Sequence, residues 1–292
     1  MTSLLPGPLV DATWLADHLH DPRLAVLDAT AVLPSPRHDG DHRSTSGRPG
    51  WAERHLPGSG HADLTGDLSD PRAPYHFAVP APDALAAGLA RLGVGEGSEV
   101  VVYDTAGGIW AARLWWMLRA ISVPAAVLDG GLRAWETAGH PLASGDTAPP
   151  PAAAPPIPVP RPGLWTGVEE VAAISAGVRP GTLVCALPPG GYDGSAPTRY
   201  TRRGHIPGSR SLPGRSLMDD TGRLLPRAEL AARAGTVLAG ADAPLVLYCG
   251  GGISAAGTAL ALTVLGHEDV SLYDGSLEEW SKDPARPMEQ GG

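Results

Sequence analysis

Four side-chain types recur along this chain at one constant spacing. Tyr103, Asp129, Gly130 and Trp135 lie 145 residues before Tyr248, Asp274, Gly275 and Trp280. The blocks that carry them, VVVYDTAGGIWAARLWWMLRAISVPAAVLDGGLRAW and LVLYCGGGISAAGTALALTVLGHEDVSLYDGSLEEW, align without a gap. A second echo, HLPG at His55 to Gly58 against HIPG at His205 to Gly208, is offset by 150, so loops of unequal length separate the two echoes. A duplicated domain is the simplest account, and 292 residues suit two domains of ordinary size.

Each copy reads as short apolar strands alternating with helical segments. The expected strands are Leu24 to Asp28, Val100 to Asp104 and Ala125 to Leu128, then Thr182 to Ala186, Leu245 to Cys249 and Val270 to Tyr273. Their nearly continuous apolar character fits a parallel sheet covered by helices on both faces. The expected class is therefore α/β, doubly wound, twice. Between Asp146 and Gly163, eight prolines in DTAPPPAAAPPIPVPRPG exclude helix or central strand and suggest a semi-rigid polyproline II spacer. The expected division is a first domain at 1–145, a linker at 146–163 and a second domain at 164–292.

Composition narrows the partners. Hydrophobic residues make up 43% of the chain, enough for a sizeable core, and the formal charge of −9 comes without a basic stripe. Such a surface lacks the attraction that supplies most affinity for a phosphate backbone, so nucleic acid is not an expected partner. The chain's start lacks the pattern of a secretory signal, and no stretch approaches the ~20 apolar residues that span a bilayer. With only Cys185 and Cys249, neither a disulfide scaffold nor a Cys-rich zinc site is expected. A reducing, cytoplasmic setting with no membrane partner follows as the expectation.

The stretch most loaded with chemistry is PLVLYCGGGISAAGTALALTVLG, Pro244 to Gly266. A buried strand runs into Cys249, three glycines follow, and a helix begins. In open α/β sheets, ligands bind beyond the carboxyl ends of strands. Gly250, Gly251 and Gly252 are free to take positive φ and curl their amides inward, and Ser254 is a candidate cap for a helix whose dipole faces the loop. The amides from Gly250 through Ile253 and Ser254 to Ala255 then form an anion cradle centred on the Cys249 sulfur, which favours the nucleophilic thiolate. A buried core cysteine is the bland alternative. A protein tyrosine phosphatase would carry an arginine six positions after its nucleophile, where this chain has Ala255. Without it a tetrahedral dianion lacks its bidentate partner.

Taken together, LDAT (Leu27 to Thr30), HLPG, LSDP (Leu68 to Pro71), VVYD with AARLWWMLR (Val101 to Arg119), LDGGLRAW (Leu128 to Trp135), RRGHIPGS (Arg202 to Ser209), YCGGGISAA and YDGSLEEW (Tyr273 to Trp280) resemble the tandem-domain rhodanese family. These are the thiosulfate and 3-mercaptopyruvate sulfurtransferases, and the resemblance covers nearly the whole chain. It implies two rhodanese-like folds, of which only the C-terminal one is catalytic. The catalytic cysteine, here Cys249, takes sulfur from a small anionic donor, holds it as a persulfide and passes it to a thiol or cyanide acceptor, with no metal or organic cofactor. The repeat agrees with that asymmetry, because the residue 145 before Cys249 is Asp104. A carboxylate cannot carry a sulfane sulfur, so Asp104 is expected to fix its own loop.

The resemblance also exposes departures. Glycine and serine after the cysteine mark the mercaptopyruvate-preferring relatives; Gly250 and Gly251 look closer to that kind than to the basic pair of thiosulfate-preferring ones. The serine that relatives place two residues after the cysteine is Gly251, and the histidine that accompanies it falls at Phe77 rather than His76. In CALPPGGY, Cys185, Leu187 and Gly191 replace the family's aspartate, arginine and first carboxylate-binding arginine, while Arg199 stands for a second arginine. A non-catalytic persulfide-binding or interaction module is the rival reading, and oxyanion chemistry a remote third.

Other candidates have plainer readings. The arginines of RYTRRGH, Arg199 to His205, form either a solvated patch or a rim for an anionic donor. Structural roles are expected for His55 and His205 in their turns, for Cys185 as a buried small residue rather than a resolving thiol, and for Trp110, Trp115 and Trp116 in the core or the domain interface. His38 and His42 have ligand-like spacing, but PRHDGDHRSTSGRP suggests no ordered frame to hold a metal.

Overall fold

The computed structural model describes residues 3–146 and 149–291, and in it the repeat becomes two five-stranded sheets. The first lobe runs β1 (Leu9–Val10), α1 (Ala12–His18), β2 (Leu24–Asp28), β3 (Ala31–Val32), β4 (Thr45–Ser46), α2 (Arg48–Glu53), β5 (Gly60–His61), α3 (Pro82–Arg91), β6 (Glu99–Tyr103), α4 (Ile109–Ala120), β7 (Ala125–Leu128) and α5 (Gly131–Thr137). The second runs β8 (Trp165–Thr166), α6 (Val168–Ser175), β9 (Thr182–Cys185), α7 (Pro189–Tyr192), β10 (Arg210–Ser211), a 3₁₀ turn (Gly214–Leu217), α8 (Arg227–Leu238), β11 (Leu245–Tyr248), α9 (Ile253–Leu265), β12 (Val270–Tyr273) and α10 (Ser276–Trp280). The sheet orders are β1-β7-β6-β2-β5 and, from the equivalent edge, β8-β12-β11-β9-β10. Every ladder in both sheets is parallel. The pair β3 and β4 stands apart as an antiparallel ribbon.

The apolar strands are covered on both sides. β6 and β11 are buried at every position. One face of each sheet carries its own cluster, built around Val101, Tyr103 and Trp135 in the first lobe and Val246, Tyr248 and Trp280 in the second. The other two faces merge into a single core that takes in α4 and α9. This explains the composition of α9, whose ISAAGTALALTVL contains no charge. A helix apolar on every side belongs inside a core rather than on a surface, and here it packs against its counterpart α4 across the lobe interface.

The duplication also ties the lobes together reciprocally. The Asp129 carboxylate accepts the Leu224 amide at 2.8 Å, and the Asp274 carboxylate accepts the Val79 amide at 2.9 Å. Both donors and both acceptors are 145 residues apart in sequence. Asp274 additionally receives the buried Arg113 guanidinium at 2.5 Å.

The proline-rich segment, expected as a semi-rigid spacer, runs as a strap bonded to the first lobe. Ala152 donates to the Ala90 carbonyl, Val159 to Ile121 and Arg161 to Ala120, so it is bonded along the first lobe before it enters β8. Of the expected linker, Thr147 and Ala148 lie outside the described residues.

Candidate active site

Two equivalent loops lie at the carboxyl ends of β6 and β11, and the first shows what such a loop binds. Asp104 Oδ1 accepts the amides of Ala106 and Gly108, both at 2.8 Å, and Oδ2 accepts those of Trp110 and Ala111, both at 2.9 Å. One buried carboxylate thus satisfies two N–H groups of the loop and cap, Ala106 and Gly108, and two in the first turn of α4, Trp110 and Ala111, where a helix leaves its donors unpaired. The second lobe builds a related turn, with Gly107 at φ 81° matched by Gly252 at φ 76°, but Gly108 is also left-handed where its counterpart Ile253 already begins α9. There Gly251, Ile253 and Ala255 correspond to Ala106, Gly108 and Trp110. Among the described residues, their amides donate to no protein acceptor.

Cys249 occupies the Asp104 position, one residue past β11. Three bonds from the start of α10 fix its loop. The Cys249 amide donates to Ser276 Oγ at 3.2 Å, while Leu277 and Glu278 donate to the carbonyls of Cys249 and Gly250. Ser276 makes this bond from φ 48°, a left-handed conformation costly for a residue with a Cβ.

Cys249 is only 3% exposed, yet it is not sealed in hydrocarbon. It lines a cavity of about 580 Å³ between the lobes. Gly250, Gly251, Ile253, Ser254 and Arg199 line the same cavity. Gly252 and Ala255 are buried behind them. The first lobe supplies Leu33, His42, Phe77 and Trp110, the last two ring-edge to ring-face at 5.2 Å.

Several expectations are corrected here. Only Gly252 of the three glycines has positive φ. Gly250 lies against the Tyr200 ring. Gly251 leaves room for a small side chain, since a Cβ there would sit 3.6 Å from Phe77 and 3.9 Å from a Glu278 oxygen. Ser254 does not cap α9, whose N-cap is Gly252; its hydroxyl donates to the Ala186 carbonyl at 2.8 Å. The arginine rim reduces to one member. Arg202 is spent on carbonyls of the C-terminal segment and Arg203 pairs with Asp39, leaving Arg199 at the cavity. Arg199 donates to the Leu33 and Pro34 carbonyls, and its buried Nε has no partner. Burial pulls its basicity below that of a free guanidinium.

Sequence reasoning missed a second cationic wall. Arg215 lines the cavity and donates to the Ala106 carbonyl, reaching from the second lobe into the first lobe's loop. Nothing in its local sequence pointed there. Ser276 and Glu278, also missed, lay within YDGSLEEW.

The remaining candidates are placed by their contacts. Cys185 is buried on the opposite face of the second sheet, in the cluster of Tyr248 and Trp280, whereas Cys249 belongs to the interlobe core. Burial pushes the Cys185 thiol up to about 12, away from the thiolate that a resolving nucleophile needs. Trp110, Trp115 and Trp116 are buried in the interlobe core, although Trp110 also faces the cavity. His55 stacks on Trp51 and His205 on Tyr192, and a ring nitrogen of each bonds to a carbonyl. The loop of His38 and His42 does have a frame, because Asp41 holds the Arg37 amide and the Arg37 and Arg43 guanidiniums.

The rhodanese-like domain profile matches residues 11–138 and 192–283. The chain belongs to the rhodanese family. It is 33% identical to a probable 3-mercaptopyruvate sulfurtransferase of Pseudomonas aeruginosa, across 97% of this chain and 98% of that protein. It is also 33% identical to human 3-mercaptopyruvate sulfurtransferase, across 93% and 91% of the two chains. The solved structure of SseA from Escherichia coli, a 3-mercaptopyruvate sulfurtransferase with the rhodanese fold, superposes with a TM-score of 0.77 at 30% identity, covering 92% of this chain and 98% of that one. This rhodanese thus has its two folds, one with a carboxylate in the loop and one with a thiol. Among the described residues, no helix is long and apolar enough to cross a membrane.

Proposed function

We propose that this protein is a sulfurtransferase in which Cys249 is the nucleophile and carries the transferred sulfur as a persulfide. Residues 164–292 are taken as the catalytic lobe, 1–145 as the lobe that walls the cavity, and 146–163 as the strap between them. The observation that carries the reading is the pair of loops: four amides grip a carboxylate at Asp104, and at the matching position of the second lobe stands a thiol that opens on a cavity, with the amides of Gly251, Ile253 and Ala255 left without a protein acceptor among the described residues.

The Cys249 thiolate attacks the transferable sulfur of a small anionic donor. With thiosulfate, the S–S bond breaks and sulfite leaves with the electron pair. With 3-mercaptopyruvate, the C–S bond breaks and pyruvate leaves after its carbon takes a proton. In both cases a cysteine persulfide anion remains, and the cradle of Gly250 to Ala255 stabilises that charge by fixed dipoles. Arg199 and Arg215 supply positive charge on the wall where the donor's oxygens lie. A thiol or cyanide acceptor then attacks the outer sulfur and regenerates the thiolate. The two free cysteines suit a reducing compartment, the cytoplasm, and neither nucleic acid nor a membrane is a partner in this reading.

Steady-state turnover with cyanide as acceptor and thiosulfate or 3-mercaptopyruvate as donor tests the proposal. Multiple turnovers with at least one donor are expected, with KM raised at least tenfold in Arg199→Ala. A single sulfur accepted per chain, without release to saturating acceptor, would establish the non-catalytic module instead.

A further inference from the structure

At the rim of the same cavity, three side chains from three separate segments converge. His42 comes from the loop before β4, His76 from the loop before α3 and Glu278 from α10 of the second lobe. Their candidate donor atoms all lie within 4.8 Å of one another. The His42 and His76 rings stack at 3.6 Å and 10°, and His76 Nδ1 is 2.7 Å from Glu278 Oε1. His42 and Glu278 line the Cys249 cavity, and His76 lies immediately outside it.

We infer that His42, His76 and Glu278 form a binding site for a divalent transition-metal ion of the zinc class, bridging the two lobes at the cavity mouth. Two imidazoles and one carboxylate are a donor set suited to zinc, with the fourth position left to water or to an anion in the cavity. Tetrahedral bonds of about 2.0 Å require donor atoms about 3.3 Å apart, so the cluster must contract by roughly 1.5 Å at its widest. Imidazole lone pairs lie in the ring plane, so the two stacked rings cannot both address one ion as they stand; His76, whose side chain is 50% exposed, must turn out of the stack as well as move inward. The competing cation is Lys282, whose ammonium lies 3.6 Å from Glu278 Oε1. A partly exposed pair of this kind is weak, and a divalent ion displaces it. Hard ions such as Mg²⁺ prefer oxygen donors and are not expected to compete. The first lobe contributes two ligands and the second one, so loading joins the lobes and stabilises the folded state by mass action.

The test uses full-length, reduced, metal-free protein titrated with Zn²⁺ against a chromophoric chelator, alongside His42→Ala, His76→Ala and Cys249→Ser. The wild type is expected to bind one Zn²⁺ and to melt at higher temperature when loaded, while either histidine variant weakens binding at least tenfold. Cys249→Ser is expected to retain the site, and Co²⁺ in the wild type to lack a thiolate-to-metal charge-transfer band. Equal Zn²⁺ affinity in the histidine variants, loss of binding in Cys249→Ser, or no binding to the wild type would each overturn the assignment. Circular dichroism of the variants separates a lost ligand from a lost fold. Because the readout is metal occupancy, it stands apart from the sulfurtransferase reading.

Discussion

The loop of the first lobe and the loop of the second are built on one plan and filled differently. In the first, Asp104 is an acceptor made by the chain itself, and its four bonds complete the turn permanently. In the second, a thiol too weak as an acceptor to play that part leaves the amides for whatever charge the sulfur acquires. The difference teaches that one side chain decides whether an anion cradle is structure or chemistry. The same contrast holds one strand over. Asp129 and Asp274 make the same bond to equivalent amides, but Asp274 alone also neutralises a buried arginine.

The largest effect should come from erasing the thiol. Cys249→Ser is expected to lower sulfur transfer at least ~1,000-fold, about 4 kcal/mol of transition-state stabilisation, with the fold intact; steady-state kinetics and circular dichroism check both halves. Comparing the two cysteines comes next. Iodoacetamide in the native protein should label Cys249 more than ~100-fold faster than Cys185, whose burial disfavours its thiolate. Peptide mapping reads the ratio, and equal labelling would break the distinction between the two faces of the sheet.

Stability measurements sharpen the loop comparison further. Asp104→Ala leaves three buried amides and one partly buried without an acceptor, at ~1–3 kcal/mol each and less than additive, so a loss of about 3–5 kcal/mol in denaturant unfolding is expected. Cys249→Asp should do the reverse, giving an inactive protein at least as stable as the wild type because its second loop then copies the first. Asp274→Asn strands the Arg113 guanidinium and should cost about 3–5 kcal/mol. Asp129→Asn should stay within ~1 kcal/mol of the wild type at neutral pH, since it keeps an acceptor. Burial holds the Asp129 carboxyl above its ordinary value. The native state therefore binds more protons, and this group's contribution to stability is lost as pH rises through that raised value. Relative to Asp129→Asn, the wild type should gain stability on acidification; a wild type that loses stability relative to that variant as pH falls would contradict the sign.

Much of this was legible in the sequence because the repeat carries it. The 145-residue register marks two sheets of one topology and sets Asp104 against Cys249. Strands were legible because both faces are buried, so apolar runs marked them. What the sequence hid are contacts made across the lobes. Arg215 reaches the Ala106 carbonyl, and His42, His76 and Glu278 meet at one rim, although no local pattern relates them. Local chemistry also misled where a tertiary partner won. Ser254 has the composition of a cap, yet the Ala186 carbonyl claims its hydroxyl. For Arg202 and Arg203 a solvated patch and a rim for anions both stayed open; carbonyls occupy Arg202 and Asp39 pairs with Arg203, so neither lines the cavity.

The central claim, that Cys249 carries the sulfur, is tested most directly by intact-protein mass spectrometry after exposure to donor without acceptor. The account predicts a gain of about 32 Da, one sulfur atom, confined to the Cys249 peptide, removed by cyanide and absent from Cys249→Ser. A wild-type protein that stays at its starting mass, or an adduct that persists in Cys249→Ser, would contradict it.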